Sequence, residues 1–122
     1  MALTHSTALR DTFADAVRAA VNANGPPGSF ILKVGATEAA TCVLNNPAFA
    51  AAAGGSIELL VVPEPTDNDA TGNASPIDAW DYVDGAATVI FSGDETDITL
   101  TKAIIATDDI VKLTQFTYNA TP

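Results

Sequence analysis

The first part of the chain mixes apolar and polar residues with a helical period. Leu9, Phe13, Ala16, Val17, Ala20 and Val21 recur at helical spacing. This predicts an amphipathic helix over Thr7 to Asn24 with one apolar stripe. Arg10, Asp11, Asp15, Arg18 and Asn22 fall mostly elsewhere on the wheel. Ser6 and Thr7 are the candidate N-caps, since a side-chain oxygen there accepts a free first-turn amide. Asn24-Gly25-Pro26-Pro27-Gly28 ends the helix: glycine takes the left-handed cap conformation and proline cannot extend the hydrogen-bond ladder.

From Ser29 onward the pattern is that of strands. Phe30 to Val34, Thr41 to Leu44 and Ile57 to Val62 read as strands, and Trp80 to Val83 as a short one before the turn signal Asp84-Gly85. Asn45 to Ser56 is a polar, alanine-rich connection, and Thr66 to Pro76 a loop dense in Asp, Asn and Gly. Ala87 to Phe91 and Thr96 to Thr101 are predicted to pair as a hairpin across Ser92-Gly93-Asp94-Glu95. Ile110 to Tyr118 is the last long strand. Val111 and Leu113 share one face and Phe116 and Tyr118 the other, a phase change that implies a bulge or burial on both faces. The pattern predicts a mainly β fold, a β-sandwich, jelly-roll-like body or small barrel with one N-terminal α-helix. The arm and helix occupy 1–28 and the β body 29–122, in a single domain.

Composition sharpens this picture. The chain has 122 residues, enough for one hydrophobic core, but its 48% hydrophobic fraction includes 23 alanines, so bulky core formers are few. The net charge is −10, and most of the 15 acidic residues lie between Glu58 and Asp109. Such a chain repels nucleic acid phosphates and anionic membranes, and suits either a solvated surface or a basic protein partner. No apolar run has the length of a membrane span, and Met1 to Arg10 lacks the pattern of a signal peptide. Synthesis and folding in a cytoplasm are therefore expected.

Candidate chemistry is sparse. A single cysteine and a single histidine leave no disulfide framework, multi-histidine metal site or Cys–His pair. Cys42 lies in an apolar strand and reads as an inert core residue, and His5 as an exposed residue ahead of the helix. Asp67, Asp69, Thr71 and Asp78 follow part of a calcium-loop spacing, with Gly72 at the sharp turn. An Asx-rich surface turn explains the same residues. Asp94 and Asp97 are a carboxylate pair with no nucleophile or apolar pocket beside them. Trp80 and Tyr82 alternate along the chain, either as core packing or as interface anchors that stack on a sugar or a protein. The sequence reads as a non-enzyme without cofactors. Leu3, Leu9, Phe13, Trp80 and Tyr82 are its candidate interface residues.

The residues also resemble a family. Thr7-Ala8-Leu9-Arg10 leads into the helix, and Asn46-Pro47-Ala48-Phe49 is followed by Ala50 to Gly55 and Ile57-Glu58-Leu59. Asp69-Ala70-Thr71-Gly72-Asn73-Ala74 is similar to the turn that leads into that family's middle strand. The end carries Gly93-Asp94, Asp97-Ile98-Thr99-Leu100, Ile104 and Ile110 to Thr117. In these stretches the chain resembles small structural proteins of tailed bacteriophages, in particular head decoration, or cement, proteins. It departs where the family has an aromatic-Arg-Ile strand, here Ser75 to Tyr82, and where the family favours glycine, here Thr107-Asp108-Asp109. The resemblance implies a non-catalytic protein on the capsid exterior that binds the major capsid protein and self-associates, stabilising the head. A tail, neck or fibre-base subunit is the alternative, and a sugar- or calcium-binding module the third reading.

Overall fold

The computed structural model describes residues 4–25, 27–98, 100 and 104–120. Helix α1 spans Thr7–Val21, and Ser6 is its N-cap, with Oγ accepting from the Leu9 amide at 3.2 Å. The helix stops short of the predicted Asn24. The Ala23 amide turns back to the Ala20 carbonyl, and Asn24 and Gly25 take φ of 57° and 85°, a left-handed exit. Gly28 follows at a close crossing, where a Cβ would lie 2.3 Å from the Val83 carbonyl oxygen. A side chain there would push α1 and the sheet apart.

The described residues form eight strands: β1 (Ser29–Val34), β2 (Thr37–Val43), β3 (Ser56–Glu58), β4 (Thr66–Asp67), β5 (Ala79–Val83), β6 (Val89–Asp94), β7 (Val111–Lys112) and β8 (Thr117–Asn119). All pairings are antiparallel. One sheet has the order β2-β1-β5-β6, and β3-β8 and β4-β7 are two-stranded. The fold is thus mainly β with one N-terminal helix, and no closed barrel forms among the described residues.

Strand periodicity decides what the large sheet buries. Phe30 sits across from Cys42 on one side and Tyr82 on the other, and Leu32 across from Ala40 and Trp80. Tyr82 in turn pairs with Phe91. This face meets Phe49, Phe116 and Tyr118 from the other layer. The Tyr82 ring, 0% exposed, lies 4.7 Å from Phe91, 4.8 Å from Phe116, 4.9 Å from Phe30 and 5.7 Å from both Phe49 and Trp80. Tyr118 joins through Phe91 at 5.3 Å. Every aromatic residue except Phe13 belongs to this cluster.

Three predicted elements change form. Ser92 to Asp94 is part of β6 rather than a turn, so the hairpin is β5–β6 around Asp84 to Thr88, followed by a 3₁₀ turn at Glu95–Asp97. Gly93 is a spacer: it lies opposite Trp80, whose Nε1 donates to the Asp94 carbonyl at 2.9 Å. Thr99 and 101–103, from the hairpin's expected second strand, lie outside the described residues. The predicted strand Ile57 to Val62 shortens to β3, because its continuation bonds elsewhere: Leu59 N–H to Phe116 O and Leu60 N–H to Ala48 O. The last strand, expected as one strand with a bulge or both faces buried, instead splits into β7 and β8, which join different partners. Leu113 N–H bonds Pro65 O, and Leu113 and Phe116 both pack partly buried against the core.

Three substitutions test this core. Phe49→Ala removes a fully buried ring and should cost about 3–5 kcal/mol in chemical denaturation, and Phe116→Ala about 3 kcal/mol. Tyr82→Phe should instead hold or raise stability, by up to about 1 kcal/mol. The Tyr82 hydroxyl is buried with no hydrogen-bond partner among the described residues, so removing it relieves a desolvation cost.

Candidate functional site

The helix docks by its charged side. Each charged side chain of α1 reaches a backbone group of the body. Arg10 donates from Nε and Nη2 to the Ala120 carbonyl, both at 3.3 Å. Asp11 Oδ1 accepts from the Gly55 amide at 2.7 Å, and Asp15 Oδ1 from the Ala52 amide at 3.0 Å. Arg18 Nε donates to the Phe49 carbonyl at 3.1 Å. Ala14 and Val21 are buried between them, with Val17 packed alongside. The predicted apolar stripe is therefore divided. Val17 and Val21 face in, while Leu9 and Phe13 remain 40% exposed and Ala16 is exposed. Gly55 belongs to this seat: its φ is +81°, and a Cβ would lie 2.8 Å from Arg10 Cζ.

A second surface lies along the β2 edge. Asn45 Nδ2 donates to the carbonyls of Leu60 and Pro63 at 2.6 and 2.9 Å, tying residue 45 to 60–63. Asp67 Oδ2 accepts from the Thr41 amide at 2.8 Å, and β4 carries β7 beside it. The stitched segments expose Val62 (91%), Ile110 (65%), Val43 (55%) and Leu60 (36%). Elsewhere Val89 (51%) and Ile104 (43%) are also exposed, so the surface carries apolar side chains in several places.

The acidic loop behaves as a turn. Asp67 uses Oδ1 on the Asp69 amide and Oδ2 on Thr41, and Asp78 Oδ1 accepts from the Gly35 amide at the β1–β2 turn. Thr71 offers its carbonyl to Thr107 Oγ1. The calcium candidates are thus not gathered: Asp67 and Asp69 adjoin, and Asp78 serves a different turn. Among the described residues, no group of three His, Cys, Asp or Glu side chains is placed to hold a metal ion. Burial pushes the Asp67 carboxyl up, but the Thr41 and Asp69 amides outweigh it and hold it below the usual range. Asp69, hydrogen-bonded to Asp67 and repelled by its charge, is raised. Asp94 Oδ1 is held by the Thr96 amide and hydroxyl; the side chain of Asp97 lies outside the description.

A cleft of about 440 Å³ separates Phe30, Leu32 and Cys42 of the sheet from Ile98, Leu100 and Leu113. Cys42 is 1% exposed, with Sγ 3.6 Å from the Val111 carbonyl. Burial, reinforced by the Asp67 charge, pushes its thiol up to about 11. It remains a neutral thiol at physiological pH, as a core cysteine does.

The candidate interface residues part company. Leu9 and Phe13 are on the surface. Leu3 lies outside the described residues. Of the two readings of Trp80 and Tyr82, core packing is the one found and the interface one is corrected: they are 4% and 0% exposed, β5 is an interior strand, and both rings lie in the aromatic cluster. His5 is half-buried rather than exposed, its ring edge-on to Phe13 at 5.4 Å. The sequence reading missed the docking role of Arg10, Asp11, Asp15 and Arg18. Its signal was present, because Arg10, Ala14, Arg18 and Val21 share one helical face. Among the described residues, no helix is long and apolar enough to cross a membrane. Compared with protein-family models, curated proteins and solved structures, the chain matches none.

Two measurements follow from these groups. Native Cys42 should react with a thiol reagent at under about 1% of its rate in denaturant, the gap closing only on unfolding. Acid should unfold the protein through its turn carboxylates. Asp84 is held low by the Asn24 side chain and the Thr88 and Ala86 amides, and Asp94 by Thr96. A carboxylate with a depressed folded pKa stabilises the fold above its unfolded value of about 3.9 and loses that contribution as pH falls through the folded value. Raised Asp69 has the opposite sign and partly offsets Asp67. The melting temperature should therefore be level near neutrality and fall below about pH 4. Asp84→Asn should lower it at pH 7 and flatten the acid slope.

Proposed function

We propose that the protein is a non-enzymatic virion component of a tailed bacteriophage, a head decoration protein that binds the outer surface of the capsid and stabilises it. The observation that carries this reading is the exposure of Val43, Leu60, Val62 and Ile110, on segments tied together by Asn45 and Asp67, in a strongly acidic domain. Apolar side chains held at fixed positions by Asn45 and Asp67 give a preformed surface for another protein, at little ordering cost. The net charge of −10 keeps such a surface from sticking to packaged nucleic acid and favours a basic partner face. The resemblance in the helix, the Asn46-Pro47-Ala48-Phe49 stretch and the final strands supplies the virion setting. On this reading the protein is made in the host cytoplasm, and its partner is the major capsid protein. Repetition over the lattice multiplies modest single contacts.

The test is co-sedimentation of the purified protein with heads that lack it, over a salt series. Saturable binding to assembled heads is expected, with Val62→Asp weakening it at least about tenfold without changing the melting temperature. Loss of binding with salt would assign the acidic face a share in docking. No binding by the folded protein would overturn the head assignment in favour of a tail, neck or fibre-base position.

A further inference from the structure

The outward face of α1 is organised in a way that solubility does not require. A surface helix ordinarily turns its apolar stripe inward and its charges outward. Here Arg10, Asp11, Asp15 and Arg18 bond backbone groups of the body, Asp15 and Arg18 from the margin with side chains 47% and 36% exposed, and the opposite side presents Ala8, Leu9, Thr12, Phe13, Ala16 and Ala19. No side chain in that outward row is charged, in a protein whose net charge is −10. Phe13 is also the one aromatic residue outside the core cluster, and even with His5 against its edge it stays 40% exposed.

We infer that this face pairs with the same face of a second copy, the two helices antiparallel about a two-fold axis midway between Phe13 and Ala16. Shape is what selects a second copy over another partner; charge bears only on where two copies meet, since two bodies at −10 repel and the uncharged row on α1 is where they approach at least electrostatic cost. Leu9, Phe13, Ala16 and Ala20 lie in one stripe, with two large residues followed by two small ones. An antiparallel dyad at that point sets Phe13 over the partner's Ala16 and Leu9 over the partner's Ala20. Each large side chain then meets a small one, and the helices can close to about 8–10 Å. The stripe is its own complement, as an isologous contact demands. Fifteen residues make a helix only about 22 Å long, so the contact is smaller than a standard interface and the association is weak. The decoration reading also implies self-association, but this dyad rests on the α1 face alone and is tested in solution without heads, so the two readings fail separately.

Sedimentation equilibrium of the full chain, from about 5 μM to 1 mM, brackets the affinity of such a contact. The weight-average mass should rise with concentration from 12.5 kDa toward twice that value. Ala16→Glu, at an exposed site, should raise the dissociation constant at least about tenfold with the melting temperature of the dilute protein unchanged. Phe13→Ala and Ala16→Phe should each weaken pairing, the first by setting small on small and the second large on large. The double variant, which exchanges the two sizes, should recover to within a few-fold of wild type. A wild-type mass that stays at one chain throughout overturns the inference and leaves the face to a different protein. A dimer that ignores all three single variants places the contact elsewhere. Failure of the exchange to restore pairing refutes the dyad.

Discussion

The fold depends on the packing of one ring. Tyr82 has no exposure and touches aromatic rings from β1, β6, the connection at Phe49 and the segment between β7 and β8. Among many alanines, the rings and aliphatic residues such as Leu32, Ile57 and Ile105 fill the volume, and Tyr82 and Phe49 are the largest of the fully buried side chains. The positions of the rings account for much else: a glycine opposite Trp80, a split final strand that brings Phe116 under the sheet, and a shortened β3 that follows it. A core with this composition resists the loss of one ring poorly, because alanine neighbours cannot swing in to fill the space.

The same composition decides how α1 is held. With nearly all aromatic residues engaged in the sandwich, the helix has little apolar surface to meet, and the connection beneath it is mostly alanine and glycine. That connection has unpaired peptide groups, which burial leaves in need of partners. The carboxylates and guanidinium groups of α1 supply them, and hydrogen bonds to charged groups are stronger than neutral ones. Polar docking on one side leaves the apolar residues on the other, so the two faces of the helix have one cause.

Much of this was legible in the residues. The helix start, the strands β1 and β5, the second half of β2 and the buried Cys42 all follow from periodicity and local chemistry. The hairpin and the long strand at Ile57 were misread for a common reason. Gly93 and the Leu59–Leu60 pair act through tertiary partners, Trp80 in one case and Phe116 and Ala48 in the other. Local pattern carries no record of those partners. The facing of α1 was missed because an amphipathic wheel shows that two faces exist, and only the surface below decides which is inside. Trp80 and Tyr82 show the same limit: alternation placed them on one face of a strand without saying that the strand is interior.

The way α1 sits on the 49–55 connection also affects how that segment can change over time. Its partners there are peptide groups, the Phe49 carbonyl and the Ala52 and Gly55 amides, and not side chains. The helix therefore recognises the path of the chain and is indifferent to its lettering. Ala51 and Ala53, both exposed, are free to drift without unseating it, while Gly55, with its positive φ beneath Arg10, is held fast. Divergence in this region should run fastest beside its most constrained residue, so a variable alanine tract flanking an unvarying glycine would be the mark this docking leaves in related sequences.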